Sequence, residues 1–384
     1  MSLRNKMGIW HILDFSDNAY VLFKDNFRER FFQKMFEESG GKRPYARFLH
    51  LSQMSVKTYY QGYTYKNGIK HVQAVPLSLL KKSLSLMNST LKNELEKNII
   101  GLKGRGKCSV VSNVKLPFKE SPEFYRIVAH VIADGSASER GSPYYANTCK
   151  ELRSHFVSDL KIFGDVPSYE NTSGSVPMVC FPKIITDILS YILRIKFTYP
   201  NHLPKLIFDS SDECKSALLQ AIFDVEGTIS TNLAIKMNSY TLVKEIRDLT
   251  ESLGIKTTKI VQSINSSGIG SYSFNVSRAS FLGFKEKIGF VSPNKIKNLD
   301  FAVNLKDRVQ RTRNKCDLEE QIIKILNGRN IKTLDIANKM QFTLNYMSKF
   351  LKIMENEGKI ICSGFKNKVY WSLPMDATND THNN

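Results

Sequence analysis

Two short apolar stretches of the chain each end in an acidic residue followed by glycine. The first, residues 127–135, closes with Asp134 before its glycine, and the second, residues 219–227, closes with Glu226. Each composition predicts a short helix, since glycine commonly follows a last helical turn by adopting left-handed dihedral angles. A carboxylate at that end faces the negative pole of the helix dipole, which costs roughly 0.3–1 kcal/mol. Because both acids occupy this unfavourable position, we expect their charges to have a functional role.

The segments after the two acids also repeat. Asn147 lies 13 residues after Asp134, and Asn238 lies 12 residues after Glu226. Each asparagine precedes a hydroxyl residue, which makes a good helix-capping pair, and a helical run follows. Each half then continues through a polar, strand-like region into another helix, and this internal repeat predicts a duplicated domain. The predicted helices cover residues 152–163 and 183–193 in the first half, and 242–253 and 279–288 in the second.

The second half shows strands with two different faces. Residues 232–238 and 271–277 alternate apolar and polar side chains, which predicts a sheet whose apolar face is covered by helices and whose polar face is open. The chain has a formal net charge of +19 and a pI of about 9.5, and such a basic chain is expected to meet nucleic acid. The alternative is a plain solvated face. The candidate DNA contacts in the duplicated region are Ser136, Ser138, Asn147, Thr228, Ser230, Lys236, Asn238, Ser273 and Asn275.

Residues 43–62 resemble a helix-turn-helix. Ala46 is the small residue expected where the two helices cross, and His50 stands where the turn usually has glycine. In such a module Lys57 and Thr58 would face a DNA major groove. An ordinary helical hairpin is the alternative.

Residues 317–373 have the pattern of a winged helix, which places Lys349 on its third helix and leaves open whether the module binds DNA or protein. The domain organisation expected from the sequence is a helical domain (1–90), a basic linker with a lead-in strand (91–120), the duplicated domain (halves 121–205 and 206–300), the winged helix (317–373) and a disordered tail (374–384). The six cysteines lack metal-ligand spacing and are expected to be free thiols. No apolar run is long enough to span a membrane, so a soluble, cytoplasmic and nucleoid-associated protein is expected.

The two acid-ended motifs resemble the paired motifs of the LAGLIDADG homing-endonuclease family, over roughly residues 116–300. The flanks resemble that family as well, both at residues 203–208 and at residues 288–290 followed by Lys295. The resemblance implies an α+β fold. Each half would be an α-β-β-α-β-β-α unit, and two units would form a saddle around a pseudo-two-fold axis.

The resemblance also implies an active centre. Ala129 and Ala221 would let the two motif helices approach closely. Asp134 and Glu226 would then lie side by side as catalytic, metal-binding acids, and Mg²⁺ or another divalent cation would offset their repulsion.

A basic residue often assists in this family. Lys295 is the best-placed candidate for a catalytic role, Lys205 is a weaker one, and either could instead contact phosphate. The sequence departs from the family at His130, which stands at an apolar position and is expected to be a satisfied core histidine, and at Ile132, where the family often has an acid.

The function that follows is a metal-dependent, site-specific double-strand DNA endonuclease. One chain with two motifs would act as a monomer on double-stranded DNA. Two alternatives stay open, namely a catalytically silent DNA-binding transcription regulator and an RNA-splicing maturase. Absence of carboxylate-dependent metal binding, with DNA affinity and activity unchanged in Asp134→Asn, would favour the regulator, and RNA binding that outcompetes DNA would favour the maturase.

Overall fold

Helices and antiparallel sheets alternate along the whole chain. The computed structural model describes residues 8–64, 70–86, 90–106, 108–137, 142–198, 200–230, 232–264, 270–304, 315–340, 342, 344–364 and 369–374. The fold class is α+β, as the sequence predicts. In the described part of the chain, no helix is both long and apolar enough to cross a membrane.

The N-terminal region combines helices with a four-stranded sheet. Its elements are β1 (Ile9–Trp10), β2 (Tyr20–Phe23), α1 (Asp25–Glu38), α2 (Lys42–Phe48), α3 (Gln53–Tyr60), β3 (Tyr63–Thr64), β4 (Lys70–His71), β5 (Val75–Pro76), α4 (Leu77–Leu84), α5 (Thr90–Glu94), β6 (Ile99–Lys103), β7 (Val111–Ser112) and β8 (Phe118–Lys119). The sheet has the order β5-β2-β6-β7, and β1 pairs with β8.

This arrangement corrects two expectations. The helical domain expected at residues 1–90 also contains the sheet strands β2 and β5, and residues 91–120 are not a linker, because β6 and β7 belong to the same sheet. The pairing of Tyr20 with Lys103 joins residues far apart in sequence, and such a contact leaves no local pattern to read. The strands are also short, which makes alternation hard to detect.

The predicted helical hairpin is present as α2 and α3. Ala46 and Val56 are buried in it, and His50 in the turn has φ 57°, the left-handed conformation that glycine usually supplies. Lys57 is exposed on α3, whereas the Thr58 hydroxyl donates a hydrogen bond to the Ser55 carbonyl at 2.7 Å. Contact of this face with DNA stays a prediction.

The duplicated region contains the same unit twice. The first half consists of α6 (Pro122–Ala133), β9 (Gly135–Ser136), β10 (Tyr144–Ala146), α7 (Lys150–Leu160), β11 (Tyr169–Asn171), β12 (Met178–Cys180) and α8 (Lys183–Leu193). The second consists of α9 (Asp212–Val225), β13 (Gly227–Ile229), β14 (Leu233–Met237), α10 (Tyr240–Ser252), β15 (Val261–Ile264), β16 (Gly270–Val276) and α11 (Phe281–Lys287), and α12 (Pro293–Asn304) follows it.

Both halves have the α-β-β-α-β-β-α order, and their sheets share one topology. The sheet orders are β9-β10-β12-β11 and β13-β14-β16-β15. The motif helices α6 and α9 pack against each other, with Ala129 and Ala221 both buried. One continuous hydrophobic core joins the N-terminal region to both halves.

The C-terminal region has a hydrophobic core of its own. Its elements are α13 (Lys315–Leu326), β17 (Ile331–Lys332), α14 (Thr333–Met340), α15 (Leu344–Asn356), β18 (Ile361–Ser363) and β19 (Tyr370–Ser372), with the sheet order β17-β19-β18. Three helices and a small antiparallel sheet in this order have the arrangement of a winged helix. Lys349 is exposed on α15. Residues 365–368 and, apart from residue 374, the expected tail at 374–384 lie outside the described residues.

Candidate active site

The two motif helices begin with good caps and end on the two acids. The Ser121 hydroxyl accepts a hydrogen bond from the Phe124 N–H, and the Ser211 hydroxyl accepts one from the Cys214 N–H, which satisfies an otherwise unpaired donor in each first turn. At the other end Asp134 and Glu226 are the C-cap residues of α6 and α9. Because the helices pack against each other, both carboxylates lie at one end of the helix pair.

Glycine is required after each acid for a reason different from the one inferred from the sequence. Neither Gly135 nor Gly227 is among the residues with positive φ, so the left-handed explanation is wrong. A Cβ on Gly135 would lie 2.5 Å from the Val131 Cα, and a Cβ on Gly227 would collide with the Phe223 carbonyl oxygen. Each strand therefore leaves its helix so tightly that a side chain would strike the last helical turn.

The two acids influence each other electrostatically. Desolvation and the nearby charge of Asp134 raise the pKa of Glu226 to about 7, although the positive charge of Lys295 opposes this rise. Desolvation also raises the pKa of Asp134, although a hydrogen bond from the Asn147 amide at 3.3 Å and the charge of Lys295 oppose that rise. Two carboxylates that disfavour each other's ionisation form a site that a cation would stabilise.

Asn147 was predicted to contact DNA, but its side chain is already engaged. Its amide nitrogen donates to Asp134, and its amide oxygen accepts the Cys149 N–H at 2.9 Å. Asn147 therefore orients an acid of the site, and its contact with DNA stays a prediction. The expected capping pair at 147–148 also shifts, since Cys149 is the N-cap of α7, whereas Ser239 caps α10 as expected.

Asp224 belongs to the site and was missed in the sequence. Its buried carboxylate accepts the N–H groups of Val291 at 2.8 Å and Ser292 at 3.0 Å, which ties α9 to the segment before α12. Burial raises the pKa of Asp224 to about 6, although the two backbone hydrogen bonds and the charge of Lys295 act to lower it. The available signal was an acid inside an otherwise apolar motif helix, at the position where the first motif has Ile132.

Lys295 holds the end of α9. Its Nζ donates to the carbonyl oxygens of Phe223 at 2.9 Å, Asp224 at 2.6 Å and Gly227 at 2.5 Å. Burial lowers the pKa of Lys295, while Asp224, Glu226 and Asp134 raise it in opposition. All three N–H groups of the ammonium are thus used on the backbone, and its charge offsets the acids. Lys205, by contrast, is exposed before α9.

The predicted DNA contacts of the second half lie on and beside one sheet face. Thr228, Lys236, Ser273 and Asn275 share the face that points away from the helices, because Lys236 pairs with Ser273 and Ala234 pairs with both Thr228 and Asn275. Ser230 and Asn238 are exposed at the strand ends. In the first half Ser136 lies on β9, and Ser138 lies outside the described residues.

His130 is buried, as expected, but it is not satisfied. Its ring packs on Tyr145 at 4.5 Å and on Phe156 at 5.7 Å between ring centroids. Within the described part of the chain, His130 Nδ1 has no hydrogen-bond partner, and burial lowers its pKa to about 3. The expectation of a satisfied histidine is therefore wrong, and the ring is neutral at physiological pH.

The residues at the helix ends fit a divalent cation of the magnesium type. Asp134 and Glu226 supply hard oxygen ligands with raised pKa values, and Mg²⁺ is typically bound by one or two carboxylates together with phosphate and water. Among the described residues, no group of three or more acids, histidines or cysteines could hold a metal without further ligands. Such a cation would therefore need oxygen ligands from a phosphate or from water.

The fold and the site together define a duplicated protein whose two motif helices pack against each other and end on two electrostatically coupled acids. Residues 213–289 match the family model described as the LAGLIDADG-like domain. The second half of the duplicated region therefore contains a LAGLIDADG-like domain, which confirms the resemblance predicted from the two motifs.

More distant likenesses accompany this match. The chain is 23% identical over 311 residues to glutamine–fructose-6-phosphate aminotransferase [isomerizing] of Methanocaldococcus jannaschii, over 78% of this chain and 28% of that protein. Among solved structures, I-DmoI in complex with DNA and Mn is 12% identical and covers 44% of this chain and 96% of its own, with a TM-score of 0.33. Full-length DUF199/WhiA from Thermatoga maritima is 13% identical and covers 63% of this chain and 93% of its own, with a TM-score of 0.34.

Proposed function

We propose that the protein is a site-specific double-strand DNA endonuclease that uses a divalent cation held by Asp134 and Glu226. The observation that carries the proposal is the acid pair itself, in which the neighbouring Asp134 charge helps to raise the pKa of Glu226 to about 7. A fold that only bound DNA would gain nothing from two like charges at the point where its halves meet. The net charge of +19 and the polar face of the second sheet support a nucleic-acid substrate.

The chain's own groups have distinct parts in this proposal. Asp134 and Glu226 would hold the cation, which when bound supplies a water of lowered pKa and neutralises charge on the phosphate. Asn147 orients Asp134 through its amide. Lys295 is a positioning residue, because its three donors fix the end of α9 from which Glu226 projects.

The test is cleavage of a randomised duplex library by the full chain with Mg²⁺ or Mn²⁺, followed by sequencing of the new ends. Asp134→Asn and Glu226→Gln should each reduce cleavage on the order of 10²-fold or more, since each removes several kcal/mol of transition-state stabilisation. The control Asp248→Asn lies on α10, where Asp248 pairs with Lys244, and it should cut like the wild type. Equal cleavage by all variants would refute the role of the acid pair.

A second candidate is a DNA-binding regulator that keeps the fold and does not cleave. The observation in its favour is that Lys295 already provides positive charge near both acids, so the site has a counter-charge without a metal. The helix-turn-helix and winged-helix regions would then supply additional DNA contacts. Enrichment of one duplex sequence without cleavage in either metal, with the same affinity for Asp134→Asn, would establish this candidate instead.

A further inference from the structure

The two sheets differ in what they present on the face away from the helices, here called the open face. In the first sheet the helix-facing residues are identified by their contacts, because Tyr145 packs on Phe156 of α7 and Glu170 pairs with Arg153 of α7. Strand residues one position away point to the open face. The open face of the first sheet consists of Ser136, Tyr144, Ala146, Tyr169, Asn171, Met178 and Cys180.

That face is dominated by aromatic and sulfur-containing side chains. Tyr169 is 62% exposed, which is high for a large aromatic residue, and a hydrogen bond with Cys180 raises its pKa. Tyr144 and Met178 are half-buried beside it. Among the strand residues described on this face, none is lysine or arginine.

The open face of the second sheet is polar by comparison. It consists of Thr228, Ala234, Lys236, Val261, Ser263, Ser271, Ser273 and Asn275. Ser263 and Ser271 hydrogen-bond to each other at 2.9 Å, while Lys236 is exposed. Hydroxyl, amide and ammonium groups can read the donor and acceptor pattern of base edges in a major groove.

The apolar face requires a different ligand chemistry. In the major groove of duplex DNA the apolar group on a base edge is the C5 methyl of thymine, and apolar side chains recognise it by contact. Methionine and the ring of tyrosine can bury such methyl groups by apolar contact, and the hydroxyl of Tyr169 already has Cys180 as a hydrogen-bond partner. A G·C pair offers only polar groups to this face, whereas an A·T pair offers the thymine methyl beside its polar groups.

A duplex is the occupant that the position of this face favours. The two sheets begin at Gly135 and Gly227, directly after the acids, and they share one topology. A ligand centred on the acid pair and running across one sheet therefore continues across the other. The net charge of +19 complements a polyanion, whereas an apolar protein partner would gain little from it.

We propose that the first half recognises a thymine-rich half-site through methyl contacts with Tyr144, Tyr169 and Met178, while the second half reads its half-site by hydrogen bonds. This inference rests on the proposed binding of a specific duplex, and it states the chemistry by which one half-site of that duplex is recognised. The two half-sites would then differ in composition even though the two halves share a fold.

The experiment begins with selection of bound duplexes from a randomised library by the full chain without divalent metal. Lys236→Ala should weaken binding to one half-site only, and that loss assigns this half-site to the second sheet. Each thymine of the selected sequence is then replaced by deoxyuridine, which removes the methyl group and leaves the protein unchanged. Affinity should fall about fourfold for each buried methyl in the first half-site and less than twofold in the second.

Protein variants complete the test. Met178→Gln should abolish part of the deoxyuridine penalty in the first half-site, whereas Val261→Gln, an exposed apolar residue on the second open face, should leave that penalty unchanged. Equal penalties in both half-sites, or none in either, would overturn the inference and leave site-specific binding intact. Failure to enrich any duplex would refute the proposed function itself. Tighter binding of single-stranded DNA or RNA than of the selected duplex would overturn the inference that the ligand is duplex DNA.

Discussion

The two halves of the duplicated domain have the same topology but different cores beneath their acids. In the first half His130, Tyr145 and Phe156 pack against one another. The corresponding positions of the second half are Ile222, Ile235 and Ile246, which are all buried. The correspondence follows from the motif repeat, from the pairing of Tyr145 with Gly135 and Ile235 with Gly227, and from the caps of α7 and α10.

The helix ends differ as well. The end of α9 is fixed by Asp224 and Lys295, whereas α6 has Ile132 in place of Asp224, and Asp134 is held by the amide of Asn147. The second half therefore combines aliphatic residues at these three core positions with a charged anchor, and the first half combines partly polar residues there with a neutral anchor. Duplication preserves the backbone path and the two acids, while the groups that support each acid are free to diverge.

The largest effect is expected at the charged anchor. Lys295→Met should lower the free energy of unfolding by about 3 kcal/mol, because three carbonyls lose a charged donor and the acids lose their counter-charge. The matched control Lys205→Met removes an exposed lysine before α9 and should change it by less than about 0.5 kcal/mol. Urea unfolding at pH 7 measures both. Similar small changes in the two variants would show that the second half does not depend on this anchor.

The two acids should respond differently to neutralisation. The pKa of Glu226 is about 7 in the folded chain, above the ordinary value of 4.5, so the folded state binds more protons than the unfolded state between these values. Stability is therefore lost as the pH rises through that window. Glu226→Gln should stabilise the protein by about 2 kcal/mol at pH 8 and by little at pH 4.5.

Asp134→Asn is the comparison for this prediction. Asp134 is exposed and accepts a hydrogen bond from Asn147, so its neutralisation should stabilise the chain less than that of Glu226 at pH 8. Thermal unfolding at the two pH values distinguishes the variants. A Glu226→Gln gain that does not change with pH would contradict the raised pKa.

The two cores should differ in their response to acid, because only the first contains a titratable group at the compared positions. The pKa of His130 is lowered to about 3 from 6.5, so the unfolded chain takes up a proton that the folded chain excludes, and stability is lost as the pH falls below 6.5. His130→Ile copies the second half at Ile222 and should recover between about 1 and 2 kcal/mol at pH 5, with a small change at pH 8. Denaturant unfolding at the two pH values tests this. An unchanged acid sensitivity would assign it to other groups.

The sequence predicts most of the duplicated domain because its signals are local. The two motifs and the alternation of residues 232–238 are local patterns, so the motif helices and the second-half strands could be predicted from the residues, whereas the full element order of both halves was implied by the family resemblance. The N-terminal sheet could not be predicted, since β2 and β6 meet across intervening helices and neither strand is long. The helical hairpin could be predicted because Ala46 and Val56 mark its two helices within a short segment, even though His50 stands where the turn usually has glycine.

The residues of the candidate site also fall into those that local sequence predicts and those that it does not. The two acids stand out by type and position within their motifs, but their supporting groups come from other elements. Asp224 binds backbone N–H groups after α11, and the surroundings of His130 come from β10 and α7. Such contacts depend on the packed structure, which is why Asp224 was missed and His130 was expected to be satisfied.

The smallest effect is expected from one hydroxyl group in the first-half core. The Tyr145 hydroxyl is buried and, within the described part of the chain, has no hydrogen-bond partner, whereas the buried Tyr125 hydroxyl pairs with the Ser210 hydroxyl at 2.8 Å. Tyr145→Phe should therefore stabilise the protein by about 0.5–1 kcal/mol, and Tyr125→Phe should destabilise it by about 1 kcal/mol, because only the second change breaks a bond. Urea unfolding of the two variants checks the signs. A loss for Tyr145→Phe equal to that for Tyr125→Phe would mean that the hydroxyl has a partner such as buried water, and that the first-half core is as well satisfied as the aliphatic one.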